Sequence, residues 1–217
     1  MNDIKERPIL FSAPMVRALL EGRKTQTRRA MKSQPDDDAI IMVGEIGTSR
    51  GAAYIRYPRE GGHCLRIPCP YGQPGDHLWV RETWRTYASL DGIPPRGITP
   101  GAGIQYEALG TNLPGDKGDY LLGMGKCRPS IFMPRWASRI TLEIVSVRVE
   151  RLQDISDGDV ASEGCSWNER LEIPRDSKNC KSPAQREYRR LWEKINGPGS
   201  WDKNPFCWVL TFKRVIP

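Results

Sequence analysis

The chain is expected to be an α+β protein, and two observations carry that expectation. Long runs of period-two alternation mark strands, most clearly at His77–Trp84, Arg139–Leu152 and Pro205–Val215. Helix grammar is confined to three segments, Ser12–Glu21, Asp154–Gly164 and Lys178–Gly197. Those three helices are expected to flank the strands.

Taken in order, Pro8–Phe11 reads as a short first strand. In Ser12–Glu21, Ser12 is placed to cap the first free amides, Pro14 is tolerated in the first turn, and Gly22 can take the left-handed conformation that ends a helix. Met15, Ala18 and Leu19 share its apolar stripe. Lys24–Arg29 alternates like a strand, with Lys24, Gln26 and Arg28 on one face and Thr25, Thr27 and Arg29 on the other. Ser33–Asp38 is a polar break, followed by strands at Ala39–Val43, Ala53–Tyr57 and His63–Cys69. Gln73-Pro74-Gly75-Asp76 is a turn, because Pro presets its bend and Gly accepts positive φ.

In His77–Trp84, Leu78, Val80 and Glu82 share one face, and Trp79, Arg81 and Thr83 the other. Tyr87–Pro129 is crowded with glycine and proline around one short strand at Ile104–Ala108. It reads as an insertion of about residues 87–129 within a single 1–217 domain, packed over the site or ordered only on binding. Arg139–Leu152 is a long bent strand buried differently along its length. In the last helix Ser182-Pro183 opens the turn, Gln185 completes a capping box, and Ala184, Tyr188, Leu191, Trp192 and Ile195 form the apolar face. Phe206, Trp208, Leu210 and Phe212 share one face of the final strand.

Composition bounds the function. Lys and Arg outnumber Asp and Glu by 33 to 26, and the net charge of +7 is compatible with a polyanionic partner. Seven tryptophans favour a packed globule. No signal peptide or membrane-spanning run is recognised, so a cytoplasmic protein with reduced thiols is expected. Cys64 and Cys69, with His63 and His77 nearby, could hold a metal, but the spacing is loose for zinc, so no metal or other cofactor is expected.

The densest chemistry lies at Gly22–Arg29, G-R-K-T-Q-T-R-R, where Arg23, Lys24, Arg28 and Arg29 stand beside two threonines. A helix end followed by a cation-rich strand suits an anion or a phosphorylated substrate, and it also suits a solvated basic turn. The run H-L-W-V-R-E-T-W adds Trp79, Arg81 and Glu82, because aromatic rings stack bases and guanidinium groups hold phosphates. Trp84 is read as core. Lys24, Arg29, Arg81 and Glu82 are expected to line one cleft, which requires the two arginine-rich strands to be neighbours.

The order of motifs resembles the ASCH domain of the PUA-like superfamily, in the form found in phages and prophages. The motifs are a helix, G-x-K-T-x-T-x-R, then G-D-x-L-W-V-R-E, a long strand, an A-x-E-G helix and an aromatic C-terminal strand. The resemblance implies a PUA-like mixed β-barrel flanked by helices, and RNA, possibly DNA, or a modified nucleoside or nucleotide as partner. Gly22, Lys24 and Arg29 fit the family signature, while Thr27 stands where a glutamate is expected. That threonine is similar to the bacterial N4-acetylcytidine amidohydrolases, and the similarity implies Lys24, Thr27 and Glu163 as catalytic residues.

Amide hydrolysis needs a nucleophile, a base and an acid for the leaving amine. A Thr27 hydroxyl activated by a neutral Lys24, with Glu163 moving the proton, would supply them. Neighbouring arginines and burial would hold Lys24 neutral. The same groups suit binding alone, so a non-catalytic reader of RNA or DNA, a ribonuclease, and a phage assembly or host-interaction protein are the alternatives.

Overall fold

The fold is that of a computed structural model, which describes residues 4–36, 40–43, 52–56, 64–109, 123–167 and 179–215. The strands are β1 (Glu6–Leu10), β2 (Gln26–Ala30), β3 (Ile40–Val43), β4 (Ala52–Arg56), β5 (Cys64–Pro68), β6 (His77–Arg81), β7 (Trp84–Arg85), β8 (Gln105–Tyr106), β9 (Thr141–Arg151) and β10 (Phe206–Val215). The helices are α1 (Ala13–Leu20), α2 (Asp157–Ser162) and α3 (Pro183–Asn196).

The protein is mixed α+β. Its main sheet has the order β1-β6-β9-β10-β2, with β1 and β6 parallel and the other pairs antiparallel. A second sheet joins β3, β4 and β5, and β7 pairs with β8. Among the described residues the strands do not close into a barrel. β1 and β2 remain the edges of the main sheet, tied by the Arg29 guanidinium, whose Nη2 donates to the Leu10 carbonyl at 2.6 Å.

Local sequence accounts for most elements. α1 has Pro in its first turn and ends before Gly22 at φ +74°, but the Ser12 side chain makes no capping bond. Its buried face is Val16, Ala18 and Leu19. α2 is the better capped helix: Ser156 and Asp159 form a reciprocal capping box. In α3, Ser182 accepts from the Gln185 amide, but the Gln185 side chain departs from the expected box. It accepts from the Lys181 amide and donates to the Ile155 carbonyl, tying α3 to the segment before α2. Ile195, expected in the core, is half exposed.

Three apolar clusters follow. The main one lies between the larger sheet, α1 and the smaller sheet, and includes Phe11, Val16, Ile55, Leu78, Ile144 and Leu210. The second lies under α2 and α3, around Val160, Tyr188, Trp192, Trp201 and Cys207. A register shift opposite Thr211/Phe212 re-aims the side chains of β9, so that Leu142 and Ile144 early in the strand and Val149 late in it all enter the main cluster. β10 serves both clusters, with Cys207 in the second and Trp208, Leu210 and Phe212 in the first. The expected strand His77–Trp84 breaks after Arg81, and Trp84 passes into β7. There Trp84 is fully buried with Ile98, Met133 and Ala137, so the glycine- and proline-rich insertion packs into a small third core shared with Trp84 and the segment before β9. Residues 110–122 of the insertion lie outside the described residues, as do residues 39, 57 and 63 of the expected strands.

Candidate functional site

The site is built on the free edge of β2. In an antiparallel strand the N–H and C=O of one residue point to the same side, and successive residues alternate. The Arg28 amide donates to Glu163 Oε1 and the Gln26 carbonyl accepts from Lys24 Nζ at 2.8 Å, so residues 26, 28 and 30 address the edge away from β10. Lys24 and Glu163 thus cover the first part of that edge as a neighbouring strand would.

Backbone geometry brings the two side chains together. Lys24 and Glu163 form an isolated antiparallel bridge, and the Thr25 amide donates to the Ser162 carbonyl at 2.8 Å. The close approach needs Gly164, at φ +83°, since a Cβ there would lie 2.8 Å from Ala18 Cβ and 3.1 Å from Lys24 Cβ.

Lys24 and Glu163 are 2% and 3% exposed. Lys24 Nζ lies 2.7 Å from Glu163 Oε2, 2.9 Å from the Glu163 carbonyl and 2.8 Å from the Gln26 carbonyl. Three acceptors match the three N–H bonds of an ammonium, which leaves no lone pair to act as a base. Burial lowers the Lys24 pKa from its ordinary value, and Glu163, by charge and hydrogen bond, opposes that shift. Arg29 contributes to the lowering, but far behind burial in the order of causes. The other carboxylate oxygen, Oε1, accepts from the Arg28 amide and from the Tyr188 hydroxyl at 3.1 Å. Burial first, and the adjacent Glu163 charge second, push the Tyr188 pKa well above its usual value, keeping the phenol a donor.

Past Arg28 the edge is uncovered. The same alternation leaves the Arg28 carbonyl and Ala30 amide facing a cleft of about 50 Å³. Thr27, Arg29, Glu163, Tyr188 and Trp192 line it, with Met15 of α1 at its rim. The Thr27 hydroxyl has no hydrogen-bond partner among the described residues. The cleft therefore presents a backbone donor and acceptor, a hydroxyl and apolar walls, a set suited to the edge of a planar polar ring.

The expected arginines divide by role. Arg28 sends its guanidinium away from the cleft to Glu150 at 2.7 Å and Asp159 at 3.0 Å, with no side-chain exposure. Arg148 completes that network through Asp159 at 3.0 Å and Gln26 Oε1 at 3.1 Å. Burial opposes the Arg28 charge, yet the Glu150 hydrogen bond and charge outweigh it and raise its pKa. Arg29 stays at the cleft, its guanidinium 5.5 Å from the Phe11 ring centre. Arg23 is exposed, paired with Glu21 and donating to the Gly164 carbonyl at 3.0 Å.

Trp79, Arg81 and Glu82 do not join this cleft, which corrects the expectation of one site. Two strands, β9 and β10, separate β6 from β2 across the sheet. Trp79 is 8% exposed, with Arg81 4.5 Å and Arg135 5.9 Å from its ring centre. Arg81 donates to the Ile131 carbonyl at 3.0 Å. Glu82 is buried in a two-pronged pair with Arg139, both contacts 2.9 Å. These residues hold β6 to the segment before β9. The described residues of the insertion do not line the cleft either; they meet α1, where Arg17 donates to the Ala108 carbonyl at 3.2 Å.

Cys64 is exposed and Cys69 buried, while His63 lies outside the described residues. No group of three metal-ligating side chains occurs among the described residues. All six cysteines are free thiols, and no helix among the described residues is long and apolar enough to cross a membrane. Sequence reasoning missed Tyr188 as a site residue. Its place on the apolar face of α3 explained the ring, and nothing local signalled that its hydroxyl reaches a carboxylate 25 residues away. No family model, curated protein or solved structure matches the chain.

Proposed function

We propose that the protein recognises a nucleobase, in RNA or as a modified nucleoside, in the cleft at the free edge of β2, and that it is an ASCH-type, PUA-like protein. The observation carrying this reading is the convergence of the Arg28 carbonyl, the Ala30 amide, the Thr27 hydroxyl and Arg29 on one cleft, beside a buried Lys24–Glu163 pair. Backbone donor and acceptor at a strand edge read a heterocycle's edge, and the hydroxyl supplies either sense of hydrogen bond. Arg29 and the exposed Arg23 contribute positive charge for a phosphate. Free thiols support a reducing, cytoplasmic setting for that work.

Hydrolysis of an N4-acylated cytidine is a second reading, favoured by one observation: Thr27 and Glu163 line the same cleft. In that reading Thr27 Oγ1 attacks the amide carbon while Glu163 takes its proton and returns it to the departing nitrogen. Water then releases the acyl group from Thr27. Lys24, held as an ammonium, orients Glu163 rather than serving as the base.

The test runs binding and deacylation assays on the native chain, Thr27→Ala, Lys24→Ala and the double variant. Recognition alone predicts saturable binding of cytidine derivatives, weakened in Thr27→Ala, with no turnover by any protein. Hydrolysis predicts turnover lost in Thr27→Ala with binding nearly intact, since a nucleophile acts mainly in the transition state. Absence of binding to every nucleoside and RNA offered would overturn both.

A further inference from the structure

A second cationic feature lies at the other end of β1, where the mouth between the two sheets forms a recess of about 130 Å³. A single water needs only roughly a tenth of that room. Lys5 and Arg7 reach the recess from the start of β1, Arg66 from β5, and Cys69, Gly72, Gln73 and Asp76 from the turn before β6. Along the extended strand, roughly 17 Å separates this end from Leu10, the residue that Arg29 contacts.

The recess is organised around the Asp76 carboxylate. Asp76 is 5% exposed in its side chain and accepts from Arg7 Nη1 at 2.9 Å, the Gln73 amide at 3.1 Å and the Lys5 amide at 3.2 Å. With three donors on it, Asp76 fixes Arg7 and the turn and has little capacity left for the other cations. Gly72 is required beside them, because a Cβ would fall 2.7 Å from Asp76 Oδ2 and 2.9 Å from Arg7 Nη1. The side chains of Lys5 and Arg66 have no ion pair among the described residues. Carboxylates on the adjoining strands are engaged elsewhere, Glu6 with Arg135 at 2.8 Å and Glu143 with Lys213 at 3.1 Å.

We propose that Lys5, Arg7 and Arg66 form a binding site for a phosphate group. Three cations against one saturated carboxylate leave an excess matched by a phosphate monoester, which carries about −1.5 to −2 at neutral pH. Two guanidinium groups offer paired N–H donors to its oxygens, and Lys5 adds a point charge. The phosphate is either free, inorganic or on a small molecule, or the terminal group of a single-stranded nucleic acid.

The experiment measures binding to the full chain at low salt by calorimetry. The probes are inorganic phosphate, a nucleoside 5′-monophosphate, and a short RNA with either a 5′-phosphate or a 5′-hydroxyl. Saturable binding is expected for the phosphorylated probes. Lys5→Gln and Arg66→Gln, both at exposed positions, should each weaken it about tenfold. Equal binding of phosphate and phosphorylated RNA identifies a small-anion site. Preference for the 5′-phosphorylated RNA over the 5′-hydroxyl strand and the small probes identifies a strand-end site. Inorganic phosphate, which has no base for the β2 cleft, should lose binding in Lys5→Gln and Arg66→Gln as the nucleotide probes do, which separates this site from the β2 cleft. Failure of every phosphorylated probe to bind, or full binding by the Lys5→Gln/Arg66→Gln double variant, would overturn the proposal.

Discussion

Replacing Glu163 by glutamine keeps the shape of the side chain and removes its charge, so it isolates what the buried ion pair contributes. The Lys24 side chain has no exposure and the Glu163 side chain only 2%, so the ammonium would stay buried without a counter-charge. Breaking a buried pair from one side costs about 3–5 kcal/mol, a large part of the ~5–15 kcal/mol that holds a domain folded. Lys24→Met should cost a similar amount, because Glu163 then retains the Arg28 amide and Tyr188 hydroxyl as donors but loses its adjacent cation. The double variant removes both charges, while the amide oxygen introduced by Glu163→Gln can still accept from the Arg28 amide and the Tyr188 hydroxyl. Its cost should fall short of the two single costs added together by about 2 kcal/mol or more. Urea unfolding followed by tryptophan fluorescence measures all four proteins, with unchanged m-values as the check on two-state behaviour. A Glu163→Gln cost below about 1 kcal/mol, or additivity within about 0.5 kcal/mol, would refute the reasoning.

The buried thiols give a pH prediction: burial pushes Cys69 and Cys165 up to about 11 and Cys207 to about 12, against 9.0 for a free thiol. The unfolded chain therefore releases these protons first, so their stability contribution is complete below pH 9 and is lost as pH rises through 11 to 12. Unfolding midpoints should fall over that range, less steeply in Cys207→Ala; a rise would contradict the burial. Gly164→Ala should cost about 2–4 kcal/mol, combining positive φ with the Ala18 and Lys24 contacts, whereas Gly22→Ala, with nothing within 4 Å, should cost about 1 kcal/mol in thermal unfolding. If the protein binds RNA as proposed, Arg23→Ala should reduce the salt dependence of affinity by about one phosphate contact, while Arg28→Ala should instead lower the melting temperature; the reverse pattern in filter-binding and melting assays would place the wrong arginine at the RNA.

Local chemistry determined most of the elements, because capping, turn residues and hydrophobic period act over a few neighbours. The α+β class, the cap at Ser182, the left-handed Gly22, the bent β9 and the buried Trp84 were all legible in the chain. The conjunction of Lys24 and Glu163 was expected only through resemblance, since 139 residues separate them and no spacing rule links them. Strand order was decided by tertiary structure alone. With β9 and β10 between β2 and β6, the side chains of Arg81 and Glu82 turn to the Ile131 carbonyl and to Arg139 and stay out of the cleft. The fate of each arginine was decided in the same way. Arg28 and Arg29 are adjacent, yet opposite strand faces send one to Glu150 and Asp159 and the other to Leu10 and Phe11. A charge in sequence carries only a sign, and the neighbours that desolvate or pair it come from distant segments that only the folded chain brings together.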